Sequence, residues 1–135
     1  ISIETAVADA TRPLPFTDAS FEAIVSEGYL GTPLHGDEEP HELEREAQGV
    51  HDLWMNALPQ LAQALTPSGV IIGMLPSYKT RHGEAHARLT PSDLSHIGLH
   101  QEAFLLADGT TRDELVYARP NQFVTRRIVK WRKVK

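Results

Sequence analysis

Two carboxylates, Asp9 and Glu27, each follow a short segment that we predict to be a β-strand. Asp9 comes after residues 1–8, which alternate in polarity, and Glu27 comes after the apolar residues 21–25. A carboxylate at the end of a strand can accept hydrogen bonds from an amine or from a ribose hydroxyl, because the loop leaves it accessible. Each acid taken alone is also typical of a turn or a helix cap. The pair therefore indicates a ligand site better than either acid does.

The elements that must position these acids follow from the apolar periodicity. Apolar residues recur in steps of three and four from Leu43 to Leu65, which predicts one long helix, with a kink or restart near Leu58 because Pro59 lacks an amide donor. The apolar run 70–75 predicts a central strand that is buried on both faces. Residues 77–89 predict a polar loop, and a short helix should follow and stop at Gly98.

The remaining residues predict β structure and complete the fold class. Strands are predicted at 103–106, 114–119 and 123–131, and the last two should form a hairpin through Pro120 and Asn121. Strands that alternate with helices are typical of a parallel sheet. We therefore predict an α/β fold, a fragment of a Rossmann-like three-layer sandwich, with a mostly parallel sheet and a C-terminal antiparallel hairpin. Residues 1–135 should form one partial domain.

Composition narrows the class of protein. The 135 residues are 41% hydrophobic and 23% charged, without cysteine and with a net charge of -5. This favours a soluble cytoplasmic domain over a disulfide scaffold, a membrane span or a uniformly basic nucleic-acid binder. The charge is uneven, because residues 119–135 carry cations and no acid. That segment is either a surface that meets phosphate or a solvated edge strand kept soluble by its charge.

Several segments resemble a known family in both order and spacing. Residues 7–16, VADATRPLPF, and residues 20–31, SFEAIVSEGYLG, resemble the middle of the class I S-adenosylmethionine-dependent methyltransferases that modify exocyclic amines of nucleic acids. The tRNA guanine N2-methyltransferase branch is the most similar. Residues 65–69, LTPSG, are similar to the helix end that precedes the fifth strand of this family, and residues 115–122, LVYARPNQ, to its closing hairpin. The resemblance spans nearly the whole chain, although each motif is only moderately specific.

The resemblance implies S-adenosylmethionine as cofactor and a role for each matching residue. Asp9 would accept a hydrogen bond from the adenine amine, and Ala10 would offer its backbone amide. Glu27, beside the cofactor, and the carbonyl of Gly28 would hold the target amine, while Tyr29 would pack on the base. The site needs positioning for an in-line transfer rather than a strong base. The residues implied on the substrate side are Leu30, Arg119, Gln122 and Arg126.

The loop departs from the family pattern Asp-Pro-Pro-Tyr-Gly. Aligned on Gly31, this chain has Glu27, Gly28, Tyr29 and Leu30, so both prolines are absent and a leucine stands at the aromatic position. Some relatives have an acid-Pro-Tyr-Leu-Gly version, in which Gly28 would be the single change and Tyr29 the native aromatic. We favour the second alignment.

A second departure is the absence of the glycine-rich cofactor loop from these 135 residues. We therefore expect the chain to be a fragment that binds the cofactor poorly alone. We also expect it to self-associate through the exposed edge of its sheet at residues 1–7.

The sequence thus predicts methyl transfer to an exocyclic amine of a nucleic-acid base, with guanine in tRNA as the first candidate and with RNA methylation and tRNA processing as the setting. Adenine or cytosine in DNA is an alternative substrate, because the loop recognises an amine rather than a whole base. A non-catalytic domain that binds RNA or a partner through its basic hairpin is the other alternative. We expect neither a metal site nor membrane insertion.

Overall fold

The computed structural model describes residues 1–134, which form one six-stranded sheet, a separate two-stranded sheet and two helices. In chain order the elements are β1 (Phe21–Val25), α1 (Pro40–Ala64), β2 (Leu65–Thr80), β3 (Gly83–His86), α2 (Pro91–Ile97), β4 (Leu99–Glu102), β5 (Phe104–Leu105), β6 (Thr111–Arg112), β7 (Leu115–Tyr117) and β8 (Val124–Lys133).

The large sheet has the order β1-β2-β8-β4, with β3 paired to β2 and β7 paired to β8. β1 runs parallel to β2, and the described pairings of β3, β8, β4 and β7 are antiparallel. The mixed α/β fold of a Rossmann-like fragment is confirmed, and so is the antiparallel hairpin, which β7 and β8 form. The parallel part of the sheet, where β1 meets β2, is the part that positions the candidate site.

β2 is the central strand, as the apolar run 70–75 predicted, but it is longer than that run and is fully buried on one face only, because Val70, Ile72 and Met74 are half-buried. Ile71 is fully buried and pairs with Ile24 of β1 on one side and with Trp131 of β8 on the other. The predicted loop at 77–89 is wrong, because β2 continues to Thr80 and turns into β3. Polar side chains concealed this strand in the sequence, since the ladder between strands needs only backbone groups.

Helix α1 carries the predicted apolar stripe into the core. It begins at Pro40, where a reciprocal pair of hydrogen bonds between Glu39 and Glu42 caps it, and it passes through Pro59 without a restart. Pro59 removes one backbone hydrogen-bond donor from the helix. The buried residues before and after Pro59 pack in the core, and this packing offsets that loss. Its buried residues are Leu43, Ala47, Val50, Trp54, Ala57, Leu58, Ala62 and Ala64.

The predicted strand at residues 1–8 is not formed. All eight residues are exposed, and Ile1, Ile3 and Val7 have no apolar surface to pack against. A strand exists only as part of a ladder, and alternation in the sequence cannot supply the partner. Among the described residues β1 pairs with β2 and with no other strand. Self-association stays a prediction, but the exposed edge is now that of β1.

Both helices contribute to a single core on one face of the sheet. Leu94 of α2 joins the cluster that contains Trp54 of α1. Thr90 caps α2, and the helix stops at Gly98, as predicted. Trp131 is fully buried and packs edge-on against Trp54, with 5.1 Å between the ring centroids. The described residues therefore supply two layers of the predicted sandwich, the sheet and the helices on one side of it.

The cations of the basic segment are largely paired within the fold. β8 lies inside the sheet, between β2 and β4, rather than at its edge. Arg127 contacts Glu114 at 2.8 Å, and Glu102 accepts hydrogen bonds from Arg132 at 2.8 Å and contacts Lys130 at 3.1 Å. Lys133 donates to the carbonyl of Leu65. This strand is therefore held by local ion pairs and does not present a free basic surface.

The Glu102 cluster predicts a dependence of stability on pH. Hydrogen bonds from Arg132 and Lys130 lower the pKa of Glu102 from 4.5 to about 2. A lowered pKa stabilises the fold above the ordinary value and loses that effect as the pH falls through the folded value. We expect urea unfolding to show Glu102→Gln less stable than the parent at pH 7, with the gap closing between pH 4.5 and 2. A gap that stays constant over this range would show that the charge of Glu102 is not responsible.

Candidate active site

The loop after β1, residues 26–32, has a left-handed backbone conformation, which favours glycine, at two points. Gly28 has φ +73° and Gly31 has φ +95°. Proline fixes φ near −65°, so the family's proline could not take the place of Gly28 in this conformation. The amide of Gly28 donates to the hydroxyl of Ser26 at 3.1 Å, and the Ser26 amide donates to Ile72 of β2. The loop is therefore an extension of the parallel β1–β2 pair with its own turn geometry.

Gly28 lies directly on the ring of Trp54. A Cβ atom added at Gly28 would stand 2.5 Å from Cζ2 of that ring, which leaves no space for any side chain. Trp54 in turn packs on Trp131, and both lie over Gly73 of β2, where a Cβ would also meet the two rings. The Trp54 ring therefore fixes the position of Gly28 from the core side.

A cleft of about 320 Å³ brings the two predicted segments together. Asp9, Ala10, Gly28 and Tyr29 all line it, although the segment before Asp9 is not a strand. The floor is the apolar face of α1, formed by Leu53, Trp54, Ala57 and Leu61. Tyr29 is 46% exposed and stands at the opening. The cleft thus combines an apolar floor with a carboxylate at its rim.

Asp9 is held in position by a turn of its own. Its Oδ1 atom accepts from the amide of Thr11 at 2.9 Å and from the Thr11 hydroxyl at 2.7 Å. These two bonds, together with Arg12 at 3.6 Å from Oδ2, lower the pKa of Asp9 below its usual value. Asp9 is therefore an ionised acceptor at neutral pH, and its Oδ2 atom faces Arg12 but makes no hydrogen bond among the described residues.

Glu27 is oriented by Arg126 of β8. The Nε atom of Arg126 donates to Oε2 of Glu27 at 3.3 Å, while the Glu27 side chain remains 54% exposed. This pair links the end of β1 to β8 across the end of the sheet. Glu27 itself does not line the cleft, although its neighbours Ser26 and Gly28 do, and it keeps one oxygen, Oε1, for a further partner.

A second cavity, of about 520 Å³, lies next to the first along the same loop. Leu30, Gln122 and Arg126, three of the predicted substrate-side residues, line it together with Phe123. Arg119 does not line it, because its Nε atom donates to the hydroxyl of Tyr117 at 2.7 Å and its guanidinium lies over that ring. The structure therefore brings together three of the four substrate-side residues.

Three side chains of this site were not recognised from the sequence as part of it. Tyr78 of β2 donates to the carbonyl of Leu30 at 2.6 Å, and Glu46 of α1 accepts from the amide and the hydroxyl of Thr32. Trp54 was recognised as a core residue but not as the floor beneath Gly28. Tyr78 stands 48 residues from Leu30, and Glu46 stands 14 residues from Thr32. No local pattern carries such contacts, so sequence reasoning had no signal for them.

Two classes of feature are absent from residues 1–134. Neither α1 nor α2 combines the length and hydropathy needed to cross a membrane. Within the same residues, no three or more His, Asp or Glu side chains are grouped so that they could hold a metal ion.

Several solved structures with a similar fold carry the names of methyltransferases. A protein assigned as a DNA modification methylase of Thermus thermophilus superposes with a TM-score of 0.54 at 12% identity, and its complex with S-adenosyl-L-methionine with 0.52 at 13%. In both cases the match covers 90% of this chain and 49% of the other. The 1,6-didemethyltoxoflavin-N1-methyltransferase of Burkholderia thailandensis, solved with 1,6-didemethyltoxoflavin and S-adenosylhomocysteine, gives 0.51 at 13%, over 95% of this chain and 49% of the other.

These likenesses show the fold, since identity is low throughout. The chain spans about half the length of each of these structures. No protein-family model matches the sequence, and no curated protein matches it either.

Proposed function

We propose that this chain is the catalytic-loop part of a class I methyltransferase that uses S-adenosylmethionine and methylates an exocyclic amine of a nucleic-acid base, with guanine in tRNA as the first candidate. One observation carries the proposal: a single cleft joins Asp9 and Ala10 to Gly28 and Tyr29 over an apolar helix face. The fold supports it, because similar solved structures hold S-adenosylmethionine or S-adenosylhomocysteine.

The residues of the cleft fit the adenosine end of this cofactor. The side chains of Leu53, Ala57 and Leu61 offer an apolar surface suited to a purine ring. Asp9 lines the same cleft, and its Oδ2 atom, which makes no hydrogen bond among the described residues, can accept from the adenine amine. The amide of Ala10 offers a donor beside this acceptor. When bound, S-adenosylmethionine supplies an electrophilic methyl group.

The residues of the loop can orient an amine. Oε1 of Glu27 and the carbonyl of Gly28 are acceptors for the N–H groups of the amine, and the proton that the amine loses as it gains the methyl group passes to the Glu27 carboxylate. Two acceptors direct its lone pair, which is the main requirement for an in-line transfer. Tyr29 is exposed beside them and offers an aromatic face to a base. Leu30, Gln122 and Arg126 line the adjoining cavity, on the substrate side.

A small heteroaromatic amine is the second candidate substrate. The ion pairs of Arg127, Lys130 and Arg132 reduce the cationic surface that a long nucleic acid would need. One similar structure is, moreover, an enzyme solved with 1,6-didemethyltoxoflavin. DNA is the third candidate substrate, since another similar structure is assigned as a DNA modification methylase.

Methyl transfer to three groups of acceptors tests the proposal. The full-length protein would be incubated with methyl-labelled S-adenosylmethionine and with bulk tRNA, genomic DNA or a set of aromatic heterocyclic amines. We expect label in tRNA, at the exocyclic nitrogen of guanine. Label in DNA or in the small amines would support methyl transfer but would replace tRNA as the substrate. No transfer to any of the three would contradict the proposed function.

A further inference from the structure

The loop between Glu27 and Thr32 is held from the core side by two side chains of distant elements. The hydroxyl of Tyr78, a fully buried residue of β2, donates to the carbonyl of Leu30 at 2.6 Å. The carboxylate of Glu46, on α1, accepts from the Thr32 hydroxyl at 2.6 Å and from the Thr32 amide at 3.1 Å. We call these two side chains, Tyr78 and Glu46, the loop clamp.

The clamp is close-fitting. The α-carbon of Gly31 lies between the two bonds, and a Cβ atom there would collide with the Tyr78 hydroxyl and stand 3.0 Å from Oε2 of Glu46. The φ of +95° at Gly31 keeps the carbonyl of Leu30 and the amide of Thr32 within reach of their partners. Burial, followed by the nearby Glu46 and Tyr29, raises the pKa of Tyr78. The hydroxyl therefore stays protonated, and a donor, at neutral pH.

The loop clamp contacts the part of the loop that lies beside both cavities. Gly28 and Tyr29 line the first cavity, and Leu30 and Gly31 line the second. Gly28 rests on the Trp54 ring, so the loop has one fixed point before Tyr29 and two after it. A backbone held on both sides of Tyr29 restricts where Tyr29 and the Gly28 carbonyl can stand.

We infer that Tyr78 and Glu46 are positioning residues, which hold the loop in its active conformation and supply the rigidity that prolines would give it. This inference rests on the proposed function, because it assigns the loop the task of orienting an amine. Neither residue lines the two cavities, so both act through the backbone of Leu30, Gly31 and Thr32. Pre-organisation of this kind affects the rate of the chemical step more than the binding of the cofactor.

Tyr78→Phe tests the inference, because it removes the hydroxyl and keeps the ring in the core. Thr80→Val is the matched control: Thr80, on the same strand, is also buried, and its hydroxyl donates to the carbonyl of Glu38 at 2.9 Å, outside the loop. Amide hydrogen exchange of residues 27–32 would be measured without substrate, and kcat and KM for S-adenosylmethionine would be measured with the acceptor that the parent methylates. Glu46→Gln is the second variant, in case Tyr78→Phe does not fold.

We expect Tyr78→Phe to speed exchange in the loop about five- to tenfold and to lower kcat by a similar factor, the effect of one lost hydrogen bond, with KM for S-adenosylmethionine within about twofold. Glu46→Gln should act in the same direction, and Thr80→Val should leave loop exchange and kcat unchanged. Loop exchange equal to that of the parent, or an equal loss of kcat in Thr80→Val, would overturn the inference. Failure of the proposed function would be seen instead in the parent, as the absence of any transfer.

Discussion

Replacing Glu27 by alanine is expected to lower turnover about ten- to a hundredfold and to leave the affinity for S-adenosylmethionine nearly unchanged. The substitution removes a charged acceptor from the target amine, and such a hydrogen bond contributes about 1.5–3 kcal/mol. It also breaks the ion pair with Arg126, but a pair whose acid is 54% exposed contributes little to stability. The loss should therefore appear in kcat rather than in the unfolding transition.

Two variants separate this effect from a general loss of charge. Glu22→Ala removes an exposed carboxylate from β1, the strand that precedes the loop of Glu27, and should keep the parent's rate because Glu22 is not on that loop. Glu27→Gln retains one acceptor oxygen, so its rate should lie between those of the parent and Glu27→Ala. Steady-state rates of labelled-methyl transfer, measured beside urea unfolding, provide both readouts. A rate for Glu27→Ala that equals the parent's would remove Glu27 from the mechanism.

The parts of the fold that sequence predicted are those whose signal is local. The stripe from Leu43 to Leu65 repeats with the helical period, and the run 70–75 has the composition of a strand covered on both faces. The hairpin of β7 and β8 follows from strand residues on both sides of Pro120 and Asn121. Each of these features depends on neighbours within a few positions of the chain.

The features that were missed depend on contacts between distant residues. Residues 1–8 alternate like a strand, but no described strand pairs with them, so they remain exposed. Residues 77–80 are polar and still form a strand, because β8 and β3 supply ladder partners on both sides. The basic segment predicted a charged surface, and acids such as Glu102 and Glu114 pair with it in the fold.

In the candidate site, too, some features could be predicted from the sequence and others depend on contacts between distant residues. The resemblance supplied Asp9, Ala10, Gly28 and Tyr29, and these residues do line one cleft. It could not supply the reason for glycine at position 28, which is the Trp54 ring beneath it. Nor could it supply the loop clamp, because Tyr78 and Glu46 meet the loop only after β2 and α1 have packed.

If the cleft that Asp9 lines binds the adenosine end of S-adenosylmethionine, Asp9→Asn should weaken that binding with little change to the fold. Asparagine keeps the oxygen that accepts from Thr11 and places an amide donor where the adenine amine would bind. Asp108→Asn is the matched control, because Oδ1 of Asp108 accepts from the amide and hydroxyl of Thr110 in the same way, between β5 and β6.

Calorimetric titration of S-adenosylhomocysteine into the full-length protein and into these two variants is therefore the most direct measurement. We expect the parent to bind, Asp9→Asn to bind about ten- to a hundredfold more weakly, as the loss of a charged hydrogen bond implies, and Asp108→Asn to bind within about twofold of the parent. Equal affinity of Asp9→Asn and the parent would contradict the assignment of Asp9, and a parent that does not bind the ligand would contradict the cofactor cleft itself.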